Sequence, residues 1–288
     1  MKRVILLLFA TSTFACYAQQ DGTSSSEGFN TFRYNPASYG ALEKFSANVQ
    51  GRLLYVGLSG SRRLLAANVG GKFRSLQTSS NRTGIFLGTN FQFDDYDDLS
   101  YLQWNIDIGY SLGFGNSALR FAVSPGLFRL GFTTYIIDPY YPYNSGYQTK
   151  YDMQVGMMYT WKTFYAGFSI NHLTAPRMDS LGFQIVRQYY SQFGYKIPIG
   201  EYYVYPMLSL NATQGGFSYQ SINYFVYKKE LFSVGVGYRA GGTIIFGAVG
   251  QLKGFRLGYY YDLDTSPLSK YNKGSHEMRL TYFIPYDN

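Results

Sequence analysis

A strict alternation of apolar and polar side chains, repeated along the chain, is the feature that most constrains this sequence. Between Leu102 and Leu112 every second residue is large and apolar, and the residues between them are Gln, Asn, Asp, Gly or Ser. Successive side chains of a β-strand point to opposite faces, so this pattern places all the apolar side chains on one face. The same alternation recurs at 85–93, 164–171, 232–239 and 255–262, and no comparable stretch shows a helical period. The sequence therefore predicts an all-β protein.

The alternating segments are long for a soluble sheet. A tilted strand needs about ten residues to cross a bilayer, which is the typical length here. We expect about fourteen such strands, since an even number closes an antiparallel barrel with both ends on the periplasmic side. Their approximate spans are 44–53, 61–73, 84–94, 99–112, 117–132, 148–160, 163–173, 183–196, 202–212, 216–227, 231–239, 243–252, 255–264 and 274–284. The predicted fold is a transmembrane antiparallel β-barrel of the outer membrane.

The connections between these segments support the same fold. From the fourth strand on, every second connection is a tight turn, such as 161–162 and 253–254, and several of the others, such as 133–147 and 265–273, are long. Short periplasmic turns and longer outer loops are typical of outer-membrane barrels. The connection at 74–83 departs from the pattern, since it should be periplasmic and is too long for a tight turn.

A soluble, secreted β-sandwich would show the same alternation of apolar and polar side chains. The composition favours the membrane barrel over it. Aromatic residues make up 19% of the chain and charged residues 15%, whereas soluble proteins carry about 25% charge. The net charge is +8, but the basic residues are scattered. Scattered cations disfavour nucleic-acid binding and can instead meet the anionic head groups of outer-membrane lipids.

The N-terminus divides the chain into three parts. Residues 1–18 have a basic start, an apolar stretch and a small-residue cleavage site after Ala18, which predicts a secretory signal peptide. Cys16 leaves a lipoprotein as an alternative, although the residues before it lack the usual leucine. Residues 19–42 are rich in Ser, Gly and Asn and predict a polar periplasmic leader without its own core. Residues 43–288 form the predicted barrel.

The sequence predicts no catalytic site, cofactor or metal centre, and therefore a protein that is not an enzyme. Two histidines without cysteine or a carboxylate cluster do not make a zinc site. Ser169, Asn171 and His172 resemble a hydrolase triad, but alternation places His172 on the opposite face from the other two. The acidic residues 94–98 lack an EF-hand pattern, which leaves calcium binding as the alternative to a solvated hairpin tip.

Two groups of residues are candidates for a functional site. The first comprises charged side chains that alternate onto the inner face of the late strands and form either a structural ion-pair network or a pore lining: Arg239, Arg256, Asp262, Glu277 and Arg279. The second lies in the outer loops at 136–148 and 265–273, where tyrosines offer a docking surface or mark the edge of an aromatic belt. Its members are Asp138, Tyr140, Tyr141, Tyr143, Tyr147, Lys270 and Tyr271.

Several segments resemble the PorP/SprF family of outer-membrane proteins of the type IX secretion system in Bacteroidota. The closing block, residues 254–282, is similar to the family's R-x-G-Y-x-Y-D strand, S-x-L loop and G-S-H-E-[IM]-x-L-x-Y strand. YAGFSINHLTAP at 165–176 and RQYYSQFGY at 187–195 also resemble the family, as does SVGVGYRAGG at 233–242. Asn35-Pro36-Ala37 with Gly40 is similar to its N-P-A-x-x-G element. The leader departs from the family's usual opening, since GTSSSEG follows Gln20-Asp21.

The resemblance implies a non-enzymatic, multi-pass barrel that helps to export secreted cargo carrying a C-terminal sorting domain, or to anchor it at the cell surface. Such cargo includes large gliding adhesins. The implied partners are this cargo, the translocon and the components of the periplasmic ring, with the leader and turns facing the ring. A transport barrel for small or hydrophobic solutes, with the polar lumen as its path, is the alternative function.

Overall fold

A computed structural model describes residues 24–27, 31–39, 41, 44–72, 83–134, 144–179, 183–213, 216–227 and 231–285. The predicted signal peptide, residues 1–18 with Cys16, lies outside the described residues. The predicted boundaries after residues 18 and 42 therefore stay predictions.

Fourteen long strands make up the wall of the protein. They are β1 (Phe45–Leu53), β2 (Arg63–Lys72), β3 (Gly84–Tyr96), β4 (Leu99–Phe114), β5 (Ser117–Thr134), β6 (Asn144–Trp161), β7 (Phe164–Asn171), β8 (Gln188–Tyr195), β9 (Tyr202–Thr213), β10 (Gly216–Tyr227), β11 (Phe232–Arg239), β12 (Thr243–Leu252), β13 (Phe255–Asp264) and β14 (Ser275–Ile284). Within the described residues, short 3-10 helices lie at Thr31–Arg33, Pro36–Ser38 and Pro267–Lys270. Among the described residues, no helix is long and apolar enough to cross a membrane.

The strands form one closed antiparallel sheet. Each strand pairs with its neighbours in sequence, and β1 pairs with β14 from Phe45 opposite Ile284 to Leu53 opposite His276. The pairing of β8 with β9 completes the circle, and Ile197–Ile199 prolongs the pairing with β9 at the turn. The prediction of an all-β antiparallel barrel with about fourteen strands is confirmed, including the first two strands.

The main departure from the predicted spans is at β8, which begins at Gln188 and not at residue 183. Phe183–Gln184 pairs with Arg177–Met178 inside the connection between β7 and β8. The amide of Ile185 donates to the carbonyl of Pro176. These residues satisfy their backbone groups within the loop, so they are not available to extend the barrel strand.

The two faces of the wall have opposite character. In β4 the side chain of Ile106 is 46% exposed on the outside, while the neighbouring Asn105 is fully buried on the inside. The same holds around the barrel, where exposed side chains are Leu, Val, Ile, Phe, Tyr and Trp and many buried ones are Asn, Gln, Ser, Asp and Arg. An apolar outer surface with a polar interior is the arrangement of a membrane barrel.

The barrel ends can be assigned from the positions of the termini. β1 begins and β14 ends at the same end of the barrel, which faces the periplasm in outer-membrane barrels. This end carries the two-residue turns at 115–116, 162–163 and 253–254. The opposite, outer end carries the longer connections at 54–62, 172–187 and 265–274.

The barrel interior is occupied by the chain's own N-terminal region. Residues 24–27 and 31–39, called the inserted segment below, are buried throughout. Residues 19–42 are the predicted periplasmic leader, and the described part of that region lies instead inside the barrel. A polar segment can be buried here because the polar inner wall supplies its hydrogen bonds.

A charged side chain on the lipid face should destabilise the barrel strongly. Ile106 lies midway along β4 and faces lipid, so Ile106→Arg is expected to lower the free energy of unfolding by about 2–4 kcal/mol. Urea unfolding from phospholipid vesicles measures this difference, with Ile106→Leu as the matched control. Equal stability of the two variants would show that Ile106 does not face the bilayer core.

Candidate functional site: the filled lumen and the outer loops

The Asn35-Pro36 turn of the inserted segment fits against two glycines of the inner wall. A Cβ atom at Gly156 would collide with Asn35 Oδ1 and lie 2.9 Å from Pro36 Cδ, and one at Gly167 would lie 2.7 Å from Asn35 Nδ2. Asn35 Nδ2 donates to the carbonyl of Met157 at 3.0 Å, and Asn35 Oδ1 accepts from the amide of Ala37 at 2.9 Å. The side chain therefore caps the Pro36–Ser38 helix while it binds β6.

Tyr39 occupies a second site where glycines of the inner wall make room for the inserted segment. A Cβ atom at Gly70 would collide with the Tyr39 ring and one at Gly88 would lie 2.7 Å from it, so both positions need glycine to admit the ring. The phenol donates to the carbonyl of Thr89 at 3.0 Å. On its other face the ring stacks on Phe32 with 4.7 Å between centroids.

Polar contacts hold the middle of the inserted segment. Arg33 Nε donates to Gln92 Oε1 at 2.7 Å, and its guanidinium lies over the Tyr34 ring. The carbonyl of Tyr34 accepts from Ser169 Oγ at 2.6 Å. Two strands of the wall, β3 and β7, thus bind this stretch of the segment.

The first residues of the inserted segment bind carboxylates near the outer end of the lumen. Glu277 accepts from Ser24 Oγ at 2.8 Å and from the amides of Ser25 and Ser26 at 2.8 and 3.0 Å. Ser25 Oγ donates to Asp262 Oδ1 at 2.5 Å. Hydrogen bonds to a charged acceptor are roughly twice as strong as neutral ones, so the segment is anchored at this point.

Asp262 joins the inserted segment to two arginines of the wall. Arg52 Nη2 and Arg239 Nη1 donate to Asp262 Oδ2 at 2.6 and 2.8 Å. Arg52 Nη1 lies 3.7 Å from Glu277 Oε2, and Arg239 Nε donates to Gln220 Oε1 at 2.9 Å. All four charged side chains are at least nine-tenths buried, so each needs its partners to offset the cost of burial.

The structure thus brings together three of the five predicted network residues: Arg239, Asp262 and Glu277. Arg256 lies at the periplasmic end, where its Nε donates to Gln251 Oε1 at 2.9 Å and its guanidinium stacks on Phe283. Arg279 is buried on the inner face of β14, deeper than Glu277. Sequence reasoning missed Arg52 and the serines of the inserted segment. Arg52 could have been found from the alternation of β1, which places its side chain inside the barrel.

Two outer connections form a joined surface, called the outer platform below: residues 54–62 and 265–274. The amide of Val56 donates to Gly274 O at 2.9 Å, and the amide of Lys273 donates to Val56 O at 2.7 Å. The predicted docking residues Lys270 and Tyr271 lie here, and Tyr271 is 70% exposed. Leu268 of the Pro267–Lys270 helix is also exposed.

The other predicted docking residues have different positions. Asp138, Tyr140, Tyr141 and Tyr143 lie outside the described residues. Tyr147 belongs to β6 and not to a loop, with an exposed ring under the guanidinium of Arg129 at 4.1 Å.

The prediction that His172 faces away from the inner wall is wrong. Its backbone has a left-handed φ of 54°, which ends the alternation of β7 and turns the imidazole inward. His172 Nδ1 lies 2.5 Å from Asp152 Oδ2, and the ring packs edge-on against Phe128. Ser169 donates to the inserted segment, so the two side chains have separate partners and do not act as a triad.

The acidic stretch 94–98 is only partly a solvated tip. Asp94 is fully buried and accepts from Arg62 at 2.6 and 2.7 Å and from Tyr101 at 2.6 Å, while Asp97 and Asp98 are exposed at the hairpin. Within the described part of the chain, no group of three or more His, Cys, Asp or Glu side chains is placed to hold a metal ion.

Removing the Asp152 carboxylate should loosen the loop at 172–187. Asp152 Oδ1 also accepts from Thr174 Oγ1 at 2.9 Å, so Asp152→Asn weakens both contacts at the base of the loop, by about 1–3 kcal/mol. We expect faster amide hydrogen exchange at residues 172–179.

Asp179→Asn is the matched control for that variant. Asp179 is exposed, and the hydrogen bond and charge of Lys150 lower its pKa, so the pair stays ionised at neutral pH. An exposed pair of this kind contributes little to stability, because solvent screens it. Equal exchange rates in the two variants would contradict an anchoring role for Asp152.

Two outer-membrane proteins of known structure are similar to this chain. The crystal structure of outer membrane protein Omp33 of Acinetobacter baumannii matches with a TM-score of 0.51 at 9% identity, over 84% of this chain and 99% of that chain. The TodX monoaromatic hydrocarbon channel, as a deltaS2 mutant, matches with a TM-score of 0.49 at 9% identity, over 88% and 93%. The Omp33 likeness shows the fold of an outer-membrane barrel. No curated protein matches the sequence significantly.

The family assignment covers almost the entire chain. The model of the family described as "Type IX secretion system membrane protein PorP/SprF" matches residues 17–282. With the barrel fold and its apolar outer face, this places the protein in the outer membrane as a multi-pass component of that secretion system. The chain belongs to the PorP/SprF family of type IX secretion system membrane proteins.

Proposed function

We propose that this barrel is a non-enzymatic anchor of the type IX secretion machinery. In this proposal its outer loops hold a secreted cargo protein, through the cargo's C-terminal sorting domain, or a translocon partner. The observation that carries the proposal is the filled lumen. Residues 24–27 and 31–39 are buried inside the barrel, which argues against passage of a folded cargo or a solute through the lumen, so the exposed surfaces carry the interaction.

The outer platform is the best-supported surface for this contact. Backbone hydrogen bonds between the two connections fix its shape, and a rigid surface binds with a smaller entropic cost. Tyr271 and Leu268 present exposed apolar area on it, and tyrosine is enriched at protein interfaces. The same occupied lumen argues against the alternative of a solute channel.

The test is a double substitution, Leu268→Asp with Tyr271→Ala, made in the native host. We expect a sorting-domain cargo to be lost from the cell surface, either retained in the cell or released to the medium, while the amount of barrel stays unchanged. Asp179→Asn, at an exposed position of the connection at 172–187 on the outer side, is the matched control. Normal export and retention, both in this variant and after exchange of residues 136–143 for a Gly-Ser linker, would overturn the proposal.

A further inference from the structure

The outer platform stands on the same strand ends that carry the anchors of the inserted segment. Asp262 and Glu277 lie on β13 and β14, on either side of the connection at 265–274. Arg52, which is paired with both carboxylates, lies at the end of β1, where the connection at 54–62 begins. The platform and these anchors therefore share the same short stretches of backbone.

Ser275 joins the platform to the anchors through its side chain. Its Oγ accepts from the amide of Tyr55 at 3.0 Å, and Ser275 lies opposite Asp262 in the pairing of β13 with β14. Tyr55 has a left-handed φ of 53°, which a residue with a bulky side chain keeps only where its surroundings enforce it. The contacts within the platform therefore hold a strained backbone close to Arg52.

Side-chain contacts tie the connection at 265–274 to the end of β13. Asn272 Nδ2 donates to Asp264 Oδ2 at 2.9 Å, and the amide of Ser266 donates to Asp264 Oδ1, also at 2.9 Å. The amide of Gly274 donates to Asn272 Oδ1 at 2.8 Å. Because Asp264 ends the strand that carries Asp262, a displacement of this connection acts directly on that strand.

Arg239, which also binds Asp262, is linked to the platform by a separate contact. It ends β11, and the carbonyl of Gly242 in the following turn accepts from the amide and from Oγ1 of Thr265, both at 2.7 Å. Arg239 Nη2 donates to Ser25 Oγ at 2.9 Å. Movement of the platform can therefore reach the inserted segment through Arg239 as well as through Asp262.

We infer that the outer platform and residues 24–27 are coupled, so that displacement of the platform releases the start of the inserted segment from Asp262 and Glu277. By linkage, loss of these contacts loosens the platform in return. Asn35 and Tyr39 contact other strands, β6 and β3, so the release is confined to the first residues of the segment.

The coupling gives the barrel a route from its outer surface to its lumen. A partner that binds the displaced platform more tightly than the resting one shifts the barrel toward the released state. The inference rests on the proposed function only in naming the outer platform as the surface where a partner acts. The coupling itself is a property of the barrel alone.

Hydrogen exchange of the full-length barrel in phosphatidylcholine nanodiscs, read by mass spectrometry, tests the coupling without a partner. Val56→Pro removes the amide that donates to Gly274 O and pushes Tyr55 toward extended backbone. Val56→Ala keeps the amide and is the matched control. We expect exchange at residues 24–27 to be about tenfold faster in the proline variant than in the alanine variant, with equal rates at residues 31–39.

The reverse experiment changes the lumen and measures the platform. Glu277→Gln weakens the charged acceptor of the first serines and should speed exchange at Val56 and Lys273, whose amides join the two connections. Tyr39→Leu removes a contact at the other end of the inserted segment and should leave the exchange of these two amides as in the wild type.

Three outcomes would overturn the inference: equal exchange at residues 24–27 in Val56→Pro and Val56→Ala, equal loosening of the whole inserted segment, or an unchanged platform in Glu277→Gln. Ser275→Ala, which removes only the side-chain bond to Tyr55, replaces Val56→Pro if that variant does not fold, and the same results are expected. These rates do not depend on cargo, so a failure of the coupling and a failure of the proposed function are distinguishable.

Discussion

Replacing Gly156 with valine should convert a closed barrel into a conducting one. A Cβ atom at this position collides with Asn35 Oδ1 and comes within 2.9 Å of Pro36 Cδ, so the inserted segment has to move away from β6. An eight-stranded barrel is filled by its own side chains, but barrels of 16–18 strands hold an aqueous channel. A fourteen-stranded barrel therefore depends on its contents to stay closed. In planar lipid bilayers we expect no current steps from the wild type and stepwise ion currents from Gly156→Val.

Gly250→Val is the matched control, because Gly250 is also a strand glycine and a Cβ atom there has open space. This variant should give no current steps. Deletion of residues 24–39 should give the largest and most persistent currents, since it removes every contact of the inserted segment at once. If the deletion variant gives no current although its circular dichroism spectrum shows a folded barrel, the strands alone close the lumen.

Neutralising Asp262 should strongly lower the stability of the barrel. Asp262→Asn leaves the buried guanidinium groups of Arg52 and Arg239 without their shared carboxylate and weakens the bond to Ser25. Removing one partner of a buried ion pair typically costs about 3–5 kcal/mol, because the remaining charge is uncompensated. We expect a loss of this size in urea unfolding from detergent micelles.

The control for this prediction is Asp98→Asn, which changes the formal charge equally at an exposed tip and should alter stability by less than about 0.5 kcal/mol. A triple variant, Arg52→Met, Arg239→Met and Asp262→Leu, should recover part of the loss, since apolar replacements remove all the buried charges together. If Asp262→Asn is as stable as Asp98→Asn, the ion pairs do not hold the barrel and the inserted segment together.

The barrel could be predicted from the sequence because period two is a local property. A strand with one lipid face must place an apolar side chain at every second position, so segments such as Leu102 to Leu112 carry the signal alone. The end of β7 shows the limit of this reasoning. At His172 a single left-handed φ of 54° reverses the facing, and alternation cannot anticipate one dihedral angle.

The inserted segment was not predictable by the same means. The region that contains it, residues 19–42, has the Ser, Gly and Asn content of an exposed leader, and only a polar lumen makes burial of the inserted segment favourable. The distance between residues along a strand also explains why the predicted charged residues do not all lie together. Arg256 and Asp262 share the inner face of β13, but six residues of a strand separate them by about 20 Å. Two charged side chains that both face the lumen are therefore not necessarily in contact.

The position of Glu277 has a consequence for the order of assembly. Ser24 to Ser26 leave the ribosome before any strand, yet their principal acceptor stands on β14, the last strand to be made. Their hydrogen bonds can form only after β14 has joined β1 and the circle is complete. A chain that ends before Glu277 leaves these residues without that acceptor, so occupancy of the lumen works as an internal check that the whole barrel has been built.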